Sequence, residues 1–186
     1  MAGLKLASAL GFRPVKINWV VLKGINDDEL LNLALLAIEH HFHVRFIELM
    51  PTGSKHEGQR HYLPMAEVRR RLAVLGEFEE VTPGATAGPA RIFRVPGGVG
   101  ELGFISPLSA HHCGSCNRLR LLAQGRLRPC LLGESEFDVK EAIRSDCSDE
   151  VLASIFQEAM RFKSYRPESL AGTNPYLLGF MAAIGG

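Results

Sequence analysis

Apolar positions along the chain recur with two periods. Residues 2–10, AGLKLASAL, follow helical spacing and run into Gly11, with Pro14 beyond, a glycine–proline stop that ends a helix. Residues 15–22, VKINWVVL, are β-branched and apolar at most positions. That composition predicts a strand, and its near-continuous apolarity predicts burial on both faces, as in a parallel sheet. Lys16 and Asn18 fall on one face of it, with Val20 next along. A helix is predicted from Asn26 or Asp27 as N-cap to about His41, with Leu30, Leu33, Ala34, Leu36 and Ala37 as its apolar stripe. VRFIELM, 44–50, is a second strand, with Arg45, Ile47 and Leu49 on one face and Phe46, Glu48 and Met50 on the other. Strand, helix and strand at this spacing predict a right-handed parallel unit. Two parallel strands do not make a domain, so further strands are expected upstream of Met1. The opening helical pattern has no N-cap signal before it and reads as a chain joined in mid-helix.

The pattern then changes. Residues 51–63, PTGSKHEGQRHYL, are polar and read as a lid or a boundary. Pro64 is expected at the first position of a helix to about Leu75, burying Val68, Leu72 and Leu75. Short strands are predicted around 78–82, 90–95 and 101–106, cut by proline and glycine clusters at 83–89 and 96–100. RLRLLAQGRLRPCLL predicts a hairpin turning at Gln124-Gly125, with Cys130 on the return strand. Helices are predicted at 138–144, capped by Asp138, and at 149–163, capped by Ser148.

Composition adds bounds rather than a function. The 186 residues suffice for one or two domains with a real core. Formal net charge is +1, so nothing global points to nucleic acid or an anionic membrane. No apolar run is long enough to span a bilayer and no cleavable signal pattern is present, so a cytoplasmic location is expected. Four cysteines in such a chain point to metal or redox chemistry before disulfides.

Three of those cysteines organise the rest. Cys113 and Cys116 form a CxxC pair, and Cys130 returns after the hairpin. Thiolates so gathered suit a soft metal or an iron–sulfur cluster. A closed zinc site needs a fourth ligand, from His111, His112 or Cys147. Cys147 lies in the acidic stretch SDCSDE, a poor setting for a thiolate. Three thiolates with no obvious fourth fit a cluster with one open iron, while zinc and reduced buried thiols stay as alternatives. Arg118 and Arg120 alternate just past the pair, so on a strand both guanidinium forks can meet one anion such as a triphosphate. Arg126 and Arg128 follow the turn and read as surface residues. Lys16 and Asn18, on a strand predicted to be buried, line a pocket or pair internally. His40, His41 and His43 lie near a helix end, where protonation suits the helix dipole and no metal is required.

The run ISPLSAHHCGSCNRLRLLAQGRLRPCL resembles the C-terminal cluster motif of the GTP 3′,8-cyclase family of radical S-adenosylmethionine (SAM) enzymes. FRPVKINWVVLKGINDDE and VRFIELMPTG resemble that family's last barrel segments, and MAAIGG its double-glycine ending. The resemblance implies an α/β fold, the end of an incomplete (βα)6 TIM-like barrel at 1–60 followed by a C-terminal α+β iron–sulfur domain at 61–186. It implies that Cys113, Cys116 and Cys130 ligate a 4Fe–4S cluster with an open iron. Lys16, Arg118 and Arg120 would take GTP, Arg45, Met50 and Asn18 would lie by SAM, and Gly185 and Gly186 would form a tail threading toward the active site. SAM and a second 4Fe–4S cluster belong only to the full-length enzyme, because no CxxxCxxC occurs in this chain. Implied partners are the missing N-terminal radical SAM half, a second copy in a homodimer, and the downstream cyclic pyranopterin monophosphate synthase. No catalytic residue is assigned here, and the chain alone is expected to be inactive. His112 stands where the family has an aromatic residue, and Gln124 where it has Asp; neither change removes a ligand. The competing expectation is a non-catalytic zinc-binding structural or interaction module on the same fold.

Overall fold

The computed structural model describes residues 1–50, 60–82, 88–110, 116, 118–130 and 135–163. The chain divides into two compact units, Met1–Met50 with His56–His112 and Pro51–Lys55 with Cys113–Gly186.

The first unit is a mixed α/β layer. Helix α1 (Ala2–Ala9) stops where expected, with Gly11 at φ 85°, a conformation that costs glycine nothing. Strand β1 (Val15–Val21), helix α2 (Leu30–Glu39) and strand β2 (Phe42–Glu48) form the parallel unit, Val15 opposite Phe42 and Val21 opposite Glu48. The first helical residue of α2 comes later than the sequence predicts, because Asn26 and Asp27 close the turn before it instead of capping it. Asn26 Oδ1 accepts from Leu22 N, its amide donates to Val20 O, and Asp27 accepts from Gly24 N. Glu29 is the N-cap. Helix α3 (Met65–Leu72), entered at Pro64, tightens into a 3-10 turn at Ala73–Leu75.

Strands β3 (Glu79–Val81), β4 (Arg91–Arg94) and β5 (Glu101–Ile105) complete a sheet of order β1-β2-β5-β4-β3. β2 and β5 are parallel, whereas β4 runs antiparallel to β5 and to β3. Among the described residues the strands that extend the β1–β2 pair come from downstream, on the β2 side, and nothing pairs with the outer edge of β1, the side on which upstream strands are expected. One expectation is corrected: β1 is not buried on both faces. Its residues alternate, with Lys16, Asn18 and Val20 exposed and Val15, Ile17 and Trp19 half-buried. The apolar run was misleading because helices cover only one face of this sheet.

The covered face holds the core. Phe42, Val44 and Phe46 of β2 and Leu102 and Phe104 of β5 pack against Leu30, Ala34 and Ala37 of α2 and Met65, Val68 and Leu72 of α3, all buried. The rings of Phe78, Phe93 and Phe104 meet each other, and Arg69 stacks over Phe93 at 4.6 Å.

The second unit carries a small antiparallel sheet of β6 (Arg120–Leu121), β7 (Arg126–Arg128) and β8 (Phe137–Asp138), in that order. The hairpin turn is as predicted, with Gly125 at φ 80° and its N–H bonded to Leu122 O. Asp138 caps helix α4 (Val139–Arg144) by accepting from Glu141 N, and Ser148 precedes helix α5 (Asp149–Arg161). Leu127, Val139 and Ala159 are the buried centre of this unit.

Candidate functional site

Functional side chains gather in two places, one in each unit. In the first unit the uncovered sheet face is organised in rows, because residues paired across parallel strands share a side. Lys16, His43 and Glu101 form one row, Asn18, Arg45 and Gly103 the next, and Val20, Ile47 and Ile105 the one nearest the strands' C-terminal ends. The structure therefore brings Asn18 and Arg45 side by side and sets Lys16 one row away. Met50 lies two residues past the end of β2 and is half-buried.

Arg45 lies across Gly103. A Cβ at Gly103 would stand 2.9 Å from Arg45 Cγ and 3.3 Å from Ile92 Cδ1, so the missing side chain is what leaves room for the arginine stem. Arg45 Nε is buried without a hydrogen-bond partner. A buried guanidinium N–H left unpaired is costly, and an acceptor atom of a bound anion would satisfy it. In the row below, His43 Nε2 meets Glu101 at 3.3 Å. Burial lowers the His43 pKa, with Arg45 and Lys16 adding to that effect and Glu101 opposing it. An open cleft of about 330 Å³ lies at this lower end, lined by Arg13, His41, His43, Arg94 and Glu101 among others. It sits at the N-terminal ends of β1, β2 and β5, opposite the end that carries Glu48 and Met50.

Glu48 closes β2 on the core side, fully buried. Its carboxylate accepts from Tyr62 Oη at 2.7 Å, from Leu108 N and Ser109 N at 2.9 Å each, and from Met65 N at 3.3 Å. Burial pushes the acid upward, but the hydrogen bonds from Ser109, Tyr62 and Leu108 together outweigh it and hold the group below the usual carboxylate range. Burial and the adjacent carboxylate raise the Tyr62 phenol far above its ordinary value.

In the second unit the site is the hairpin. Cys116 and Cys130 are free, exposed thiols; Cys113 lies outside the described residues, as do Gly185 and Gly186. Cys130 sits just past the end of β7 and not on the return strand itself, because Pro129 has no N–H for the ladder. Arg120 pairs with Arg128 and Leu121 with Leu127. The ladder ends at the Arg120–Arg128 pair: Arg118 lies two residues before it, two positions beyond Cys116, and Cys130 lies two residues after it. Arg118 precedes β6 and is exposed, and its carbonyl accepts from Lys163 Nζ. Arg120 is half-buried on the strand. Arg126 and Arg128 both bind Glu136, at 3.1 and 2.5 Å, and the Arg128 side chain is only 14% exposed. Arg128 is thus an internal ion pair, not the surface residue its place after the turn suggested. Among the described residues no three His, Cys, Asp or Glu side chains gather as a metal-binding group, one of the three candidate cysteines being outside them. The donor set itself, the free thiol of Cys130 following a hairpin that begins just after a CxxC pair, fits a thiophilic metal or cluster.

Residues 42–168 match the family model for Molybdenum Cofactor Synthesis C. The chain belongs to this family. The matched span contains Arg45, Met50, all three candidate cysteines and both Arg118 and Arg120 of the Molybdenum Cofactor Synthesis C family member described here. Lys16 and Asn18 precede it and Gly185 and Gly186 follow. Relatives extend the likeness over more of the chain. The GTP 3′,8-cyclase of Moorella thermoacetica is 45% identical over 161 residues, covering 87% of this chain and 50% of its own length. That of Heliobacterium modesticaldum is 43% identical over 191 residues, covering 99% of this chain and 57% of its own. That of Nostoc punctiforme is 44% identical over 164 residues, covering 87% and 49%. The chain spans about half the length of the relatives it matches. Among its described residues no helix is long and apolar enough to cross a membrane.

Proposed function

We propose that this chain is the C-terminal part of a GTP 3′,8-cyclase, supplying a three-cysteine 4Fe–4S site and the arginines that hold GTP. The observation that carries this reading is the hairpin. Its return strand pairs Arg128 with Arg120, so that the free thiol of Cys130 follows just beyond the end of the ladder that Cys116 and Arg118 lead into. That order of ligands and guanidinium groups lies inside a molybdenum-cofactor family match, and the similar relatives are named for a GTP cyclase.

On this reading Cys113, Cys116 and Cys130 hold the cluster, and when bound it supplies an open iron that can ligate the purine. Arg118 and Arg120 hold the triphosphate as fork-shaped, permanently charged donors. Lys16 takes substrate from the exposed sheet face. Arg45, whose buried Nε lacks an acceptor, takes an anionic group of SAM together with Asn18 and Met50. The parallel β1–α2–β2 unit, with its ligand residues on one face, supports assignment of residues 1–60 to the end of an incomplete barrel. Residues 61–186 are then the iron–sulfur domain, even though strands from both segments share one sheet. The Gly185-Gly186 tail, with no side chains, suits a narrow polar passage. The N-terminal radical SAM half, a second copy of the enzyme and the cyclic pyranopterin monophosphate synthase that acts next are the partners this assignment calls for.

Anaerobic reconstitution with iron and sulfide tests it. The expected result is about four irons per chain, a count set by the 4Fe–4S cluster type, with an EPR signal in the reduced protein that GTP perturbs. Substituting Arg118 and Arg120 by Ala should remove the GTP effect and leave the iron content unchanged. Stoichiometric zinc that resists replacement, with no response to GTP, would overturn the cyclase assignment in favour of a structural module.

A further inference from the structure

Glu48 is the one buried charged or polar residue among those described, and nothing in the proposed chemistry uses it. All four acceptor sites of its carboxylate are taken. Oε1 receives Tyr62 Oη and Met65 N, at the entry to α3, and Oε2 receives Leu108 N and Ser109 N, in the turn that leaves β5. The C-terminal ends of β2 and β5 lie side by side, Ile47 opposite Ile105, so the carboxylate spans from one strand end to the turn beyond its neighbour. That turn, closed by Ala110 N on Ser106 O, leads within four residues of sequence to Cys113.

A buried carboxylate is a poor choice for stability alone. An apolar side chain of the same volume would fill the site without the desolvation cost. What the carboxylate offers, and an apolar group does not, is two directed acceptors for adjacent backbone amides of a turn that belongs to no strand or helix.

We propose that Glu48 is a positioning residue, a clamp that fixes the turn at 106–110 and thereby the point from which the chain departs toward the cysteine pair. The clamp stands on the hydrogen bonds alone; its effect on the cluster rests on the proposed function.

Two variants of the full chain separate clamp from filler. Glu48→Gln is isosteric but neutral: it has one acceptor oxygen, and even when that oxygen faces the two turn amides it holds them without the charge that strengthens both bonds. Tyr62→Phe removes a donor from Oε1 and leaves both turn amides bonded. Amide hydrogen exchange over 106–110 should speed up about ten-fold or more in Glu48→Gln, the size expected when both bonds lose that charge, and stay at the wild-type rate in Tyr62→Phe. The EPR signal of the reconstituted, reduced protein should change shape in Glu48→Gln alone. If Glu48→Gln fails to fold, Glu48→Asp keeps the charge, retracts it by one methylene, and should show the same accelerated exchange. Unchanged exchange and an unchanged EPR signal in a folded Glu48 variant would overturn the proposal. If no cluster forms in the wild type, the cysteine assignment fails, and the exchange measurement still decides whether the clamp exists.

Discussion

Gly100 offers a sharp test of how the first unit is assembled. It ends the 96–100 loop, immediately before β5, and it passes so close to the end of α2 that a methyl group has nowhere to go. A Cβ there would stand 2.3 Å from Phe42 O, 2.6 Å from His40 O and 2.7 Å from Ala37 O. Ordinary contact begins at 3.4 Å, so relief needs a displacement of about 1 Å against backbone, where no rotamer change helps. The displacement also strains two hydrogen bonds that satisfy the last carbonyls of α2, Gly100 N to Ala37 O at 2.7 Å and Val99 N to Ile38 O at 3.2 Å. Overpacking costs about 1–3 kcal/mol and each lost hydrogen bond about 0.5–1.5 kcal/mol. Gly100→Ala should therefore destabilise by about 4 kcal/mol, a large part of the roughly 5–15 kcal/mol that holds a domain together. Urea denaturation followed by circular dichroism measures this directly. Gly98→Ala is the comparator: its Cβ would meet Val95 O at 3.2 Å and Ile38 Cα at 3.4 Å, contacts that small shifts relieve at a cost of about 1 kcal/mol or less. Equal midpoints for the two variants would refute the argument that this close approach sets the α2–β5 packing.

Acid should weaken the fold in two stages. His43 titrates below the usual histidine range because burial favours its neutral form, so the stability it contributes is present above that range and declines as pH falls toward its folded value. Glu48 is held below the usual carboxylate range; its contribution is full above that range and is lost as pH falls through the lower folded pKa. Urea midpoints between pH 7.5 and 5.5 should decline less in His43→Asn than in the wild type. Arg71 joins Asp27 at 2.7 Å and Glu67 at 2.9 Å; because it is partly exposed, Arg71→Ala should cost about 1 kcal/mol, and a loss above about 3 kcal/mol would show that the pair is dry. Gly103→Ala places a methyl group against the Arg45 stem and should shift that guanidinium, which on the proposed assignment weakens SAM binding by the full-length enzyme, measured by calorimetry, while the urea midpoint of this chain stays near wild type.

Much of this was legible before any coordinates. The alternation in the run 44–50 and the spacing of Leu30, Ala34 and Ala37 place the parallel unit, because side-chain periods of two and 3.6 follow from backbone geometry, although the strand itself runs two residues earlier, Phe42–Glu48. The hairpin at Gly125 and the cap at Asp138 were equally visible, since each rests on local chemistry. What could not be read were pairings between distant segments. No local signal tells that β5 slots beside β2. Lys16 and Asn18 were expected to line a pocket or to pair internally on a doubly buried strand, and the face they share, uncovered by helices, leaves them exposed instead. Glu48 did leave a trace: Phe42, Val44 and Phe46 put its carboxylate on the core face, where an acid demands partners. Those partners, Tyr62, Met65, Leu108 and Ser109, are too far off in sequence to be named. Glu136 left none, because a single acid ahead of a strand gives no hint that two arginines on a neighbouring strand converge on it.

The outer edge of β1 bears on how the chain is handled in solution. A strand with an unsatisfied row of amides and carbonyls recruits like strands, and charge repulsion is the usual safeguard. Lys16, exposed near the start of that edge, is well placed to supply it. Added salt shortens the reach of such repulsion to a few ångströms. Concentrated, high-salt stocks of this chain should accordingly assemble edge to edge and scatter light, whereas dilute, low-salt stocks stay clear.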